Sequence, residues 1–258
     1  MSFGVFEGRC VRPPRGYSFR FANSQAINLG DVLDFDHGDA FTWSIWVKNL
    51  DDVGSLSFSK MSGSFLGITL ELATPASFTG IPLSPTEQCA VWIERSGDKQ
   101  IAHADCRPIV GVDEWINIVV TKASGSTAAN FSFFRNAVQK TTGVLVDDSP
   151  ASLIGSEPWY IGRPGYSDLA NRATARFAHA AMWTSELTAT HVGEVYNNGA
   201  PPDLNNLATA PAPDKWLKLD NTDSLTTITD HGSDGNDATG SNFVPGDILP
   251  DGPFEIGT

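Results

Sequence analysis

The chain has 258 residues, 41% of them hydrophobic, and a formal net charge of −13. That apolar content fills a sizeable core and argues against disorder. The acidic balance excludes a nucleic-acid-binding protein, because neutralising phosphates needs a basic surface, and with no apolar run of about 18 residues no helix is expected to insert in a membrane. Residues 1–16, MSFGVFEGRCVRPPRG, lack the long apolar stretch of a secretory leader. Residues 1–20 carry Arg9, Arg12, Arg15 and Arg20 against Glu7, a net of +3 on a remainder that sums to −16. Residues 1–16 are therefore read as a basic arm. Through Arg9, Arg12 and Arg15 it either docks on an acidic neighbour or another copy, or stays solvated.

The body begins at Tyr17. Tyr17, Phe19 and Phe21 alternate with smaller or polar residues, as do Phe41, Trp43, Ile45 and Val47. This period of two, rich in aromatic and β-branched residues, predicts half-buried strands, and the Gly, Asn and Asp residues between the two runs read as turn chemistry. Further strands are expected over Leu56–Lys60, Phe65–Leu72, Ala90–Arg95, Ile101–Ala104, Trp115–Lys122, Asn130–Arg135, Trp159–Gly162 and Ala175–Trp183. Many short strands separated by Gly/Ser/Pro clusters predict an all-β sandwich or jelly roll, in which Trp43, Trp115, Trp159 and Trp183 read as core.

Residues 89–106 read CAVWIERSGDKQIAHADC, a hairpin with Gly97-Asp98 as a two-residue turn. In that register Trp92 faces His103 and Cys89 faces Cys106. Directly opposed Cβ atoms lie about 4.5–5.5 Å apart, close enough to bridge after a small adjustment. Cys89 and Cys106 are thus either a disulfide or two buried thiols, the latter being the ordinary state in a reducing site of synthesis.

One short helix is expected near residues 187–199, LTATHVGEVYNNG. Thr188 is its N-cap, Val192, Val195 and Tyr196 form its apolar stripe, and Asn198-Gly199 before Pro201-Pro202 form its stop. Residues 203–258 hold ten acids against Lys215 and Lys218 and few large apolar side chains. This predicts an acidic extension, residues 201–258, packed on the same domain around a strand near Trp216 and ending in a loose tail.

The segments SFRFANSQAINLG, FTWSIWVK, VDEWINIVVTK, NFSFFRNAV, PWYIGRPG and FAHAAMWTSELTATHVGEVYNNG, in this order, resemble the laminin-G-like jelly roll of the concanavalin A-like lectin/glucanase superfamily over residues 17–200. Trp115 and Thr121 match the family's Trp-containing central strand, and Ala137 stands where Gly is usual. The resemblance implies two curved antiparallel sheets, one of which often binds glycans. The closing strand has Phe177-Ala178-His179-Ala180 where relatives carry two acids, which removes that family means of assisting calcium. The segment WLKLDNTDSLTTITDHGSDGNDATGSNF also resembles extensions on laminin-G-like proteins of tailed bacteriophages. It implies a virion protein, made in host cytoplasm and released by lysis, with other virion proteins or copies of itself as partners.

No catalytic motif is present. Glu71, Glu94 and Glu114 are single acids on or beside strands, whereas glycoside hydrolysis usually needs a carboxylate pair about 5–9.5 Å apart. The five histidines are scattered. No cofactor is required. Calcium is the candidate metal, with Asp230, Asp234, Asn236 and Asp237 as one oxygen-rich loop and Asp34, Asp36 and Asp39 as another, against the alternative of solvated turn acids. Trp92, Glu94 and His103 share one face of the hairpin and form the candidate glycan patch, because a sugar wants an aromatic face beside polar groups. The expectation is a non-enzymatic virion structural or surface protein with host-surface glycans as ligands. A cellular lectin and a glycan hydrolase with an unrecognised site are the alternatives.

Overall fold

The computed structural model describes residues 16–22, 24–48, 55–61, 67–73, 89–95, 97–106, 112–148, 150, 155–162 and 174–253. The arm residues Arg9, Arg12 and Arg15 and the last five residues lie outside them. In chain order the strands are β1 (Ser18–Phe21), β2 (Ala26–Gly30), β3 (Phe41–Lys48), β4 (Ser55–Met61), β5 (Gly67–Ala73), β6 (Cys89–Arg95), β7 (Asp98–Ala104), β8 (Ile116–Lys122) and β9 (Phe131–Arg135). There follow β10 (Val138–Lys140), β11 (Gly143–Asp147), β12 (Trp159–Ile161), β13 (Ala175–Trp183), the helix α1 (Ala189–Tyr196), β14 (Lys215–Leu217), β15 (Thr227–Ile228), β16 (Ala238–Ser241) and β17 (Ile248–Leu249).

The strands form two antiparallel sheets. One has eight strands in the order β10-β9-β8-β3-β13-β1-β17, with β14 also on β13; the other has nine, β11-β7-β6-β5-β4-β12-β2-β16-β15. This is the expected all-β, two-sheet jelly-roll sandwich with one short helix. Alternation puts Phe41, Trp43, Ile45 and Val47 of β3 into the core, with Phe58, Leu70, Val91 and Trp159 of the other sheet. Trp43 stands 5.5 Å from Trp159 and 5.8 Å from Phe58 between ring centroids, and stacks on Phe41 at 4.9 Å. The outward residues of the eight-stranded sheet, among them Val119, Ala181 and Trp183, pack under α1 through Val192 and Val195. Thr188 caps that helix by accepting from the His191 N–H, and Asn197, Asn198 and Gly199 end it at positive φ.

The segment after Pro202 contributes to both layers. β14 and β17 join the eight-stranded sheet, and β15 and β16 extend the nine-stranded one. β13 has three partners, β3 on one edge and β1 and β14 on the other, and it carries a bulge at His179 (φ +47), whose N–H donates to the Lys218 carbonyl at 2.9 Å. Its first half pairs with β1 and its second with β14. Asp247, fully buried, ties the segment back by accepting from Arg20 Nη2 at 2.8 Å.

Two expectations need correction. The segment read as a turn between Phe21 and Phe41 holds strand β2, whose Ile27 and Leu29 are buried on its inner face. In the 89–106 hairpin the register is shifted: Arg95 pairs with Asp98, so the chain reverses between them and Trp92 faces Ile101. Gly97 lies in that reversal at φ +95, a conformation that favours glycine and so decides the position of the loop. Cys89 therefore opposes Ala104, and Cys106 lies past the strand end. A turn in which Cys106 N donates to Ala104 O (3.1 Å) brings it back, and Cys89 and Cys106 are joined as a disulfide with Cα atoms 5.9 Å apart. Closing a loop of this size stabilises a fold by about 3 kcal/mol. Urea unfolding with and without a phosphine reductant should show a loss of that order for the wild type and none for the C89A/C106A variant.

Candidate functional site

Two places on the molecule bring together chemistry suited to a ligand, one on the outer face of each sheet. The first is the hairpin face of the nine-stranded sheet. The register shift moves residues by two, so faces are preserved: Trp92 still shares a face with Glu94 and with His103, which is now its diagonal neighbour. Lys99 Nζ stands 5.3 Å above the centre of the Trp92 ring and 3.4 Å from Glu94 Oε1. His103 packs over Gly143 of β11, where a Cβ would come within 2.3 Å of its Nε2. Burial lowers the His103 imidazole below its ordinary value, which favours the neutral ring. The three sequence-predicted residues thus lie together, and Lys99 joins them.

From Trp92 a row of outward positions crosses the sheet through Thr69, Ser59, Tyr160, Asn28, Thr239 and Thr227. Thr69 and Ser59 are buried, whereas Trp92, Tyr160 and Asn28 are half-buried and Thr239 and Thr227 exposed. Glu71, one of the single strand acids, is also buried on this side. Access is therefore to the two ends of the row.

The second place is a pocket of ≈ 320 Å³ on the helix-bearing side, lined by Lys48, Asp113, Glu114, Trp115, Gly199, Asp251, Gly252 and Pro253. Lys48 ends β3 on the outward face and is almost wholly buried. Its Nζ lies 2.9 Å from Asp113 and 3.1 Å from Asp251. Arg176 also pairs with Asp251. Trp115, assigned to the core from sequence, is half-buried here and donates from Nε1 to the Asp251 carbonyl at 2.8 Å.

The loop expected to hold calcium converges on a side chain instead. Lys215 Nζ, 1% exposed, lies 3.3 Å from Asp230 and 3.1 Å from Asp234 and donates to the Asn236 carbonyl. Asp230 Oδ1 accepts from the Trp216 and Gly232 amides at 3.0 and 2.9 Å, and Asp237 Oδ1 from the Asp230 amide at 3.0 Å. The cation at the centre of these oxygens is an ammonium, and among the described residues no cluster of three or more His, Cys, Asp or Glu is arranged to hold a metal. The second acidic loop is similar. Asp31 and Asp34 each lie 2.6 Å from Lys60 Nζ. The Asp39, Ala123 and Gly125 carbonyls accept from Lys122 Nζ at 2.9, 3.3 and 2.8 Å. Burial pushes the Lys122 ammonium down to about 8, against the opposing pull of Asp39 and Asp36.

Removing one partner of a buried ion pair costs about 3–5 kcal/mol. K215M should lose stability of that order in urea denaturation, and a millimolar chelator should leave the wild-type melting temperature unchanged. A chelator-induced drop would place a metal where Lys215 stands.

No curated protein sequence matches the chain significantly. Among solved structures, the fold is similar to that of a Bacteroides ovatus protein whose assignment as carbohydrate-binding is provisional. The TM-score is 0.61 at 13% identity, over 95% of this chain and 62% of that one. A heptameric SAP-like pentraxin of Limulus polyphemus gives 0.48 at 10% identity, over 72% and 84% of the two chains. The binding domain of Paraclostridial Mosquitocidal Protein 1 gives 0.48 at 11%, over 70% and 43%. At such identities the likeness is one of fold, and the chain spans less than two thirds of the Bacteroides protein. The laminin-G model of the concanavalin A-like lectin/glucanases superfamily matches residues 21–193, which encompass β2 to β13 and the start of α1, and the chain belongs to that family.

Proposed function

We propose that this chain is a non-enzymatic glycan-binding protein of a virion surface, acting as a decoration, fibre or tail-associated component. The observation that carries the glycan reading is the outer face of β6 and β7, where a half-buried indole is flanked by a carboxylate, an ammonium and an imidazole. A sugar ring offers an apolar C–H face for the indole and hydroxyls for Glu94, Lys99 and His103. At this face Glu94 is salt-bridged to Lys99 and Glu71 is buried at 2% exposure, which favours binding over hydrolysis there.

The virion reading is supported by the resemblance of residues 216–243 to bacteriophage extensions and by the charge contrast between arm and body. Gly16, at which the described residues begin, is held by the body, donating to the Pro253 carbonyl at 3.2 Å and accepting from Gly252. Partners would be other virion proteins or copies of this chain, with host-surface glycans as ligands. In this reading the protein is made in a reducing cytosol, and the Cys89–Cys106 bond closes after lysis.

On a glycan array, W92A should weaken wild-type signals by about tenfold or more, equivalent to ~1.4 kcal/mol. A wild type that binds no saccharide with calcium or with chelator would refute the glycan reading. Deletion of residues 1–15, which keeps Gly16, should abolish incorporation into particles without changing the melting temperature. Undiminished incorporation would refute the assembly role of the arm.

A further inference from the structure

We propose that the pocket beside Lys48 and Trp115 is a second saccharide-binding site, separate from the Trp92 face. The two lie on opposite sides of the sandwich. Trp92 points outward from the nine-stranded sheet, whereas Lys48 points outward from the eight-stranded one, two residues beyond the Trp46 that stacks on Tyr196 of α1.

The size and the lining together select the ligand class. At ≈ 320 Å³ the pocket is at the small end of ligand sites, suited to one sugar ring rather than an extended chain. Its aromatic wall is Trp115, whose ring is fixed by the bond from Nε1 to the Asp251 carbonyl. Its donor is the Lys48 ammonium, 6% exposed and held in place by Asp113 and Asp251. Its acceptors are Asp113, with a side chain 74% exposed, and the exposed Glu114. Charges of both signs at close quarters disfavour a purely apolar ligand and a simple anion alike. An aromatic face beside fixed donors and acceptors matches a ring with one apolar face and a rim of hydroxyls.

The site is also held rigid before any ligand arrives. Arg176 on Asp251 and the backbone pairing of Gly16 with Gly252 and Pro253 fix the segment that carries Asp251. Gly252 cannot take a side chain, since a Cβ would approach the Tyr17 carbonyl to 2.3 Å. Lys48, residues 113–115 and residues 251–253 are thus tied together around one opening, and such preorganisation lowers the entropic cost of binding.

The test compares wild type, W92A, W115A, W115F and E114Q on an array of immobilised glucose, galactose, mannose, N-acetylglucosamine, glucosamine and glucuronate, with their disaccharides. W115A and E114Q should each lose, by about tenfold or more, a subset of signals that W92A keeps, and W115F should recover part of the loss. Because Glu114 is exposed, E114Q keeps the fold even if W115A is destabilised. The proposal is overturned if W115A and E114Q give the wild-type profile, if only W115A loses signal, if W92A alone removes every signal, or if the wild type binds nothing. Loss in W115A and E114Q with W92A unchanged would support this pocket and reject the Trp92 face.

Discussion

The contact on which the rest of the molecule depends is the reach of Trp43 from one sheet to Phe58 and Trp159 of the other. Trp159 is itself fixed by donation from Nε1 to the Leu33 carbonyl at 3.2 Å, so the aromatic group is held in position as well as buried. Rings of this size fill the space between layers at the density of an organic crystal. Both candidate sites accordingly lie on the outer surfaces of the sheets. Strand alternation then decides what is displayed there, because a residue that points away from Val91 and Ile93 must be Trp92 or Glu94.

The second constraint is charge. A chain with net charge −13 must bring acids close together wherever its loops converge, and isolated buried carboxylates are costly. The structure meets this with lysines that approach from strands. Lys48, Lys60 and Lys122 each end or nearly end a strand, and Lys215 begins one. Each places its ammonium among oxygens supplied by loops, so the sheets supply the cations that the loops require. This is why the oxygen-rich loops that look suited to calcium in sequence hold an ammonium, and why Lys215 could not be recognised as the centre of one. It lies fifteen residues before Asp230, and the two are brought together only when β14 pairs with β13 and bridges to Asp230.

What could be read from sequence follows the range of the interactions involved. Strands with clean alternation, such as β3 and β8, and a helix with a cap and a stop, such as α1, are determined locally and were legible. β2 was not, since AINLG is a short run embedded among turn-forming residues and owes its pairing to β12 and β16. The hairpin failed in register but not in face, because a shift of two preserves alternation. Trp92, Glu94 and His103 therefore stayed together although the pairing was wrong. The pocket was invisible because its residues come from four separate segments, and because Trp115 at a strand start is indistinguishable by pattern from a core tryptophan.

The place of that pocket follows from where α1 stops. The helix covers the eight-stranded sheet as far as Tyr196, which stacks on Trp46. Asn197, Asn198 and Gly199 then turn the chain through left-handed conformations, and the helix cannot continue over the next outward residue of β3, which is Lys48. A helix one turn longer would set an apolar or amphipathic side chain over that ammonium and close the opening. Because it ends there, Lys48 is covered instead by carboxylates from residue 113 and residue 251, and the gap between these loops is the pocket. A stop signal legible in the sequence thus leaves one end of the face that α1 covers open to a polar ligand, with Gly199 itself in the wall of the opening.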